Sequence, residues 1–110
     1  MKRENLGELE ELVLLTVGML LENAYALNIL EELQNRTNRN PDVTAIHSVL
    51  RRLENKGFLK SEMGGATAER GGRRKRYFSL THAGKAAVEN SMSVKMDLYN
   101  MWPNLSFDSL

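Results

Sequence analysis

DVTAIHSVLRRLENKGFLKSEM occupies residues 42–63, and RRKRYFSLT occupies residues 73–81. Between them lies GGATAERGG, residues 64–72. Asp42 is a good helix N-cap, because its carboxylate can accept an amide bond from the first turn. Val43, Ile46, Val49, Leu50 and Leu53 then recur at helical spacing and form a stripe to be buried. Gly57 falls where a left-handed C-terminal cap is wanted, with apolar Phe58 after it. The opposite face of this helix carries Thr44, His47, Ser48 and Arg51, with Arg52 nearer the flank. Phe58–Met63 reads as a strand, residues 64–72 as a glycine-rich loop, and Arg73–Leu80 as the return strand. The stretch therefore predicts a helix followed by a hairpin with a basic tip.

Working outward, the N-terminal segment predicts a helix capped by Asn5, with Glu8 three residues on in capping-box spacing. From Leu12 to Leu21 that helix is apolar nearly all round, so it is expected to be central and buried. A second helix is expected from Ala24 or Tyr25 to about Asn35, with Ala26, Ile29, Leu30 and Leu33 inward. Residues 35–41 are turn-formers and break it. Thr81 caps a final helix running to about Met101, with Pro103 beyond. Along it, Ala87, Ser91, Val94, Leu98 and Met101 recur every three or four residues. That is a seam long enough for one partner helix. The expected fold is mainly α with a small β-hairpin wing: a winged helix-turn-helix plus a C-terminal dimerisation helix. The expected segments are 1–81 for the winged helix-turn-helix, 82–103 for the dimerisation helix and 104–110 for a tail.

Composition fits this frame. The chain has 110 residues, 42% hydrophobic and 26% charged, as in ordinary globular domains. It has no cysteine, which excludes disulfides, thiol nucleophiles and Cys-based zinc sites. The longest mostly apolar run, Leu12–Leu21, is about half of the ~20 residues a membrane helix needs. With no signal peptide visible, a cytoplasmic chain with no membrane partner is expected. The net charge of +1 hides an asymmetry. Residues 1–35 hold two basic and seven acidic side chains, residues 36–85 twelve and four, and residues 86–110 one and three. The middle of the chain is thus strongly basic between acidic ends, which suits a polyanion bound on one face.

Three helices and then a hairpin is the order of a winged helix-turn-helix, in which the third helix enters a major groove and the wing meets the backbone. Thr44, His47, Ser48 and Arg51 are mixed polar groups able to reach base edges. Arg70, Arg73, Arg74, Lys75 and Arg76 put five cations in seven residues, suited to phosphates. Tyr25, at the start of the second helix, is a further candidate for a phosphate contact. Double-stranded DNA is the partner these residues imply.

The runs Arg52-Leu53-Glu54-Asn55-Lys56-Gly57-Phe58-Leu59 and Arg73-Arg74-Lys75-Arg76-Tyr77-Phe78-Ser79-Leu80-Thr81-His82-Ala83-Gly84 resemble the PadR family of bacterial transcriptional regulators. The family pattern is R-L-E-x-x-G-hydrophobic, then a wing ending R-x-Y-Y-x-L-T-x-x-G. The resemblance covers about Leu6 to Val94, and the short C-terminal region resembles the compact subgroup with a single C-terminal helix. There are departures. Where the family has G-T-L-Y-P, this chain has Thr44-Ala45-Ile46-His47-Ser48. The family's Y-G-Y is reduced to Ala24-Tyr25-Ala26. The resemblance implies a homodimeric repressor whose C-terminal helix packs on the other protomer, presenting two recognition helices about one helical turn apart, ~34 Å.

The remaining candidates are few. His47 and His82 are the only histidines, and no acidic cluster in the sequence joins them, so no metal or other cofactor is expected. His82 reads as a surface residue. The glycines of the loop do not follow the P-loop spacing, and no nucleophile set stands out, so no enzyme is expected. Arg52 points about 100° from Arg51 and is expected in a structural ion pair, near Glu54 or with another protomer. Met92, Met96, Met101 and Trp102 read first as pliable dimer packing. Their second reading is a pocket between paired helices, where Trp102 stacks on a small aromatic or hydrophobic effector. Some members of the resembled family respond to such molecules. The rival to DNA binding is a winged-helix module whose basic loop meets an acidic protein.

Overall fold

The structure is a computed structural model that describes residues 5–64 and 74–107. Its elements are α1 (Glu8–Leu20), α2 (Ala26–Arg36), α3 (Val43–Asn55), β1 (Leu59–Met63), β2 (Arg76–Leu80) and α4 (His82–Asn100), with a 3-10 turn at Leu21–Asn23 between α1 and α2. The order is the expected one: three helices, a two-stranded antiparallel hairpin, and a last helix.

The core lies where α1, α2 and α3 meet the root of the hairpin. Val13, Leu14 and Val17 of α1, Ile29 and Leu33 of α2, and Ile46, Val49, Leu50 and Leu53 of α3 are all buried together. Phe58 and Phe78 extend this cluster into the hairpin, and Val88 extends it into α4. The α2 stripe, and the α3 stripe from Ile46 onward, are those the helical periodicity predicts, because residues three and four apart share a face. Val43, expected in the same stripe, is instead 39% exposed at the first position of α3. In the hairpin Leu59 pairs with Leu80, Ser61 with Phe78 and Met63 with Arg76. That register turns Leu59 and Phe78 inward, since strand side chains alternate.

Asp42 caps α3 as expected, accepting from the Ala45 amide at 2.8 Å. Thr81 caps α4, accepting from the Gly84 amide at 3.0 Å. Gly57 takes φ +83°, the left-handed conformation that a side chain disfavours. Its carbonyl accepts the Thr81 hydroxyl at 2.6 Å, and the Phe58 carbonyl accepts the Thr81 amide at 3.1 Å. The end of α3 and the start of α4 are therefore knitted through one threonine.

Two local expectations are corrected. The first helix is capped not at Asn5 with Glu8 but two residues later, at Gly7, whose amide donates to Glu10 Oε1 at 2.8 Å. Glu10 wins because α1 turns it toward the core, where Lys56 Nζ lies 3.0 Å away and Arg52 Nη1 3.7 Å away. That contact also replaces the expected setting of Arg52: its partner is Glu10 of α1, brought close by the packing of α1 on α3. The second correction concerns α1 itself, which is not buried all round. Leu15 and Met19 are 40% and 47% exposed beside a shallow cleft of about 180 Å³ shared with α2.

Glu11 is the second buried acid of α1. It accepts from the Ser91 hydroxyl and the Lys95 ammonium of α4. Burial pushes both carboxyls up, but their bonds outweigh it. Glu10 is held below its ordinary value near 4.5 by the Gly7 amide, Lys56 and Arg52, and Glu11 by Lys95 and Ser91. A depressed folded value contributes stability that is present above the unfolded value and lost as pH falls through the folded one. The denaturation midpoint is therefore expected to hold steady above about pH 5 and to fall below it. Glu11→Gln is expected to make that fall shallower. A midpoint unchanged well below pH 4.5, or an equally steep fall in the variant, would contradict these contacts.

Candidate nucleic-acid interface

Thr44, His47, Ser48 and Arg51 are all exposed on one face of α3, opposite the buried stripe. Their spacing is three, four and seven residues, so they share a face. Beside this face the hairpin root and α2 enclose a groove of about 1100 Å³. His47 and Arg51 line it from α3, Tyr25, Asn28 and Gln34 from the α2 side, and Arg74, Lys75 and Arg76 from the wing. Its floor is apolar, made of Ala26, Leu30, Leu50 and Phe78. The fold thus brings together six of the ten predicted nucleic-acid residues in one concavity. Thr44 and Ser48 stand on the same helix face outside its lining. Arg73, like Arg70, lies outside the described residues.

The cations in the groove are not equivalent. Arg76 Nη1 donates to Ser61 Oγ at 3.0 Å, and Ser61 Oγ donates to Glu54 Oε2 at 2.7 Å. Arg76 is thus tied back to α3 through β1. Lys75 Nζ sits 4.1 Å from the centroid of the Tyr25 ring. Arg51 and Arg74 are exposed and have no salt-bridge partner among the described residues. Glu31 and Glu54 are the acids in the lining, and Glu54 is engaged by Ser61.

Beyond Tyr25, the polar residues α2 gives to the groove lie off its apolar stripe and are not among the sequence candidates. Asn28, Glu31 and Gln34 recur every three residues on the outer side, and that polar period was the available signal.

The C-terminal candidates divide. Ala87 and Met92 pack partly buried against the core, and Ser91 is engaged by Glu11. Val94, Leu98 and Met101 are exposed, increasingly so toward the end of α4. Met96 and Trp102 are also exposed, and the Trp102 ring lies 5.1 Å from that of Tyr99. His82 is exposed, as read. No helix among the described residues is long and apolar enough to cross a membrane.

A helical core, an exposed polar face on the third helix and a hairpin beside it define a winged helix-turn-helix protein. The chain belongs to the PadR-like family of transcriptional regulators, whose sequence profile matches residues 14–90. No curated protein matches it in sequence. Among solved structures it is similar to a PadR-like transcription factor from Bacteroides fragilis, with 25% identity over 84% of each chain and a TM-score of 0.70. A PadR family transcription regulator from Clostridium difficile shares 23% identity over 86% of this chain and 93% of that one, also with a TM-score of 0.70. Bacillus subtilis PadR in complex with operator DNA shares the fold at 13% identity and a TM-score of 0.61, over 94% of this chain and 52% of that one.

Proposed function

We propose that this chain is a sequence-specific double-stranded DNA-binding regulator acting as a cytoplasmic homodimeric repressor. The observation that carries the reading is the groove in which Arg51 of α3 and Arg74 and Lys75 of the wing face one space. Thr44, His47, Ser48 and Arg51 read base edges in the major groove. Arg73, Arg74 and Lys75 contact phosphates, and Arg76 does so from its tether to Ser61. Tyr25 lies at the groove edge, where a phosphate strand would pass. Segment 1–81 is the DNA-binding part, 82–103 the dimerisation helix and 104–110 the tail.

The dimer reading rests on unpartnered apolar surface. Val94, Leu98 and Met101 form an exposed strip on α4, and Leu15 and Met19 a second on α1. A second copy of α4 covers the first strip by the helical seam, completed by the inner residues Ala87 and Ser91. Met92 lies at the base of this surface. Met96 and Trp102 border it, where a small aromatic or hydrophobic effector would stack between paired helices.

The test is fluorescence anisotropy of the full chain against DNA from upstream of its own gene, beside a scrambled duplex of equal length, over a salt series. Tight binding to the upstream duplex alone is expected, with a slope near −0.9 per phosphate contact. Equal, salt-fragile binding to both duplexes would point instead to an acidic protein as the partner.

A further inference from the structure

Four groups stand together toward the loop end of the hairpin. The Gly64 amide donates to the Lys75 carbonyl at 2.6 Å, closing the described end of the hairpin. The Tyr77 ring lies over Gly64 so closely that a Cβ there would come within 2.2 Å of it. Tyr77 meets Tyr25 edge to face, with centroids 5.6 Å apart and planes at 81°. Tyr25 in turn carries the Lys75 ammonium, 4.1 Å from its centroid. Tyr25 belongs to the α1–α2 junction, and its carbonyl accepts the Ile29 amide of the first turn of α2 at 3.0 Å. A wing strand is thereby coupled to the helical body through two rings.

The backbone supplies one anchor beside them, the Phe78 amide donating to the Ala24 carbonyl at 2.8 Å. That bond, the buried Leu59 and Phe78 side chains and the bond from Ser61 to Glu54 hold the hairpin where it leaves the core. The ring contact adds a point farther out, toward Gly64 and Lys75, and edge-to-face packing has a preferred geometry. Lysine also loses rotamer freedom when it is held, so an ammonium already seated on a ring reaches a phosphate with less left to order.

We propose that Tyr77 is a positioning residue for DNA binding: through Tyr25 it sets the angle of the wing and holds Lys75 toward the groove. The inference rests on the DNA-binding reading, and it is separable from it by a measurement without DNA. The Lys75 side chain lies over an aromatic face, so its terminal methylene protons are expected upfield in NMR spectra of the free protein. Tyr77→Phe keeps the ring and is expected to keep both that shift and the wild-type affinity. Tyr77→Leu is expected to move the resonance back toward its free-chain position. With a mixed-sequence duplex its binding should weaken about tenfold, with a salt slope shallower by about one contact. Gly64→Ala displaces the ring without removing it and is expected to act in the same direction, which serves should Tyr77→Leu fail to fold.

An unchanged Lys75 shift in folded Tyr77→Leu or Gly64→Ala overturns the proposal whatever the DNA result. So does weakened binding with an unchanged slope. Equal loss in Tyr77→Phe would mean that the hydroxyl touches DNA directly, which overturns it too. If the wild type shows the shift but binds no duplex, the DNA-binding reading fails and the role in binding falls with it, while the ring geometry stands.

Discussion

Gly84→Ala is expected to destabilise the chain by about 3 kcal/mol or more, against the ordinary preference for alanine in helices. Gly84 is the third residue of α4, and a Cβ there would lie 2.0 Å from the Phe58 carbonyl oxygen and 2.8 Å from its carbon. Neither atom can yield cheaply. Phe58 is held by the hydrogen bond its amide donates to the Leu53 carbonyl at 2.9 Å and by its buried ring, and its carbonyl already accepts the Thr81 amide. Relieving the clash would separate α4 from the end of α3 and strain the Thr81 cap. For a domain of this size such a loss lowers the melting temperature by upwards of about 10 °C. Thermal denaturation checks it, and a variant as stable as the wild type or more so would refute the close approach.

Arg51→Ala is expected to cost about 1–3 kcal/mol in binding to the specific duplex and to relax base preference. The argument is geometric. Arg51 is exposed on the face of α3 opposite the core, at the groove, with no salt-bridge partner among the described residues to hold it back. A guanidinium there can bond a base edge with two parallel donors. Arg74→Ala should behave differently, weakening binding to every sequence alike and reducing the salt slope by about one. Anisotropy on upstream and scrambled duplexes separates the two. Identical behaviour of the two variants on both duplexes would show that base reading and phosphate contact are not divided between α3 and the wing.

The two sequence runs that carried the family resemblance turn out to be neighbours. The first contains Gly57 and Phe58 near its end, the second Thr81 and Gly84, and these four residues form one joint. The pattern was legible because each residue has a narrow physical job there: a positive φ, a buried ring, a cap that bonds in both directions, and an absent side chain. The outer face of α3 was legible for a related reason. Once Ile46, Val49, Leu50 and Leu53 face inward, helical geometry leaves Thr44, His47, Ser48 and Arg51 no other side to occupy.

Periodicity along one helix carries no information about what another helix brings alongside. Nothing in the spacing of Glu10 and Glu11 sets them apart from other acids near a helix start, and only the packing of α1 on α3 and α4 buries them against Lys56, Arg52, Lys95 and Ser91. The same holds for the polar side of α2, which becomes a groove wall only because the wing folds beside it. The basic run 73–76 was visible as charge, but its division of labour was not. Arg76 is tied to Ser61 and Lys75 is seated on Tyr25, because strand register and the α1–α2 junction place those partners there. The sequence alone thus determined the elements, their inner faces and the basic character of the wing, since these follow from local spacing and residue chemistry. The tertiary structure decided which charges are buried, which cations stay available and how the wing is held, because these depend on contacts between residues far apart in the chain.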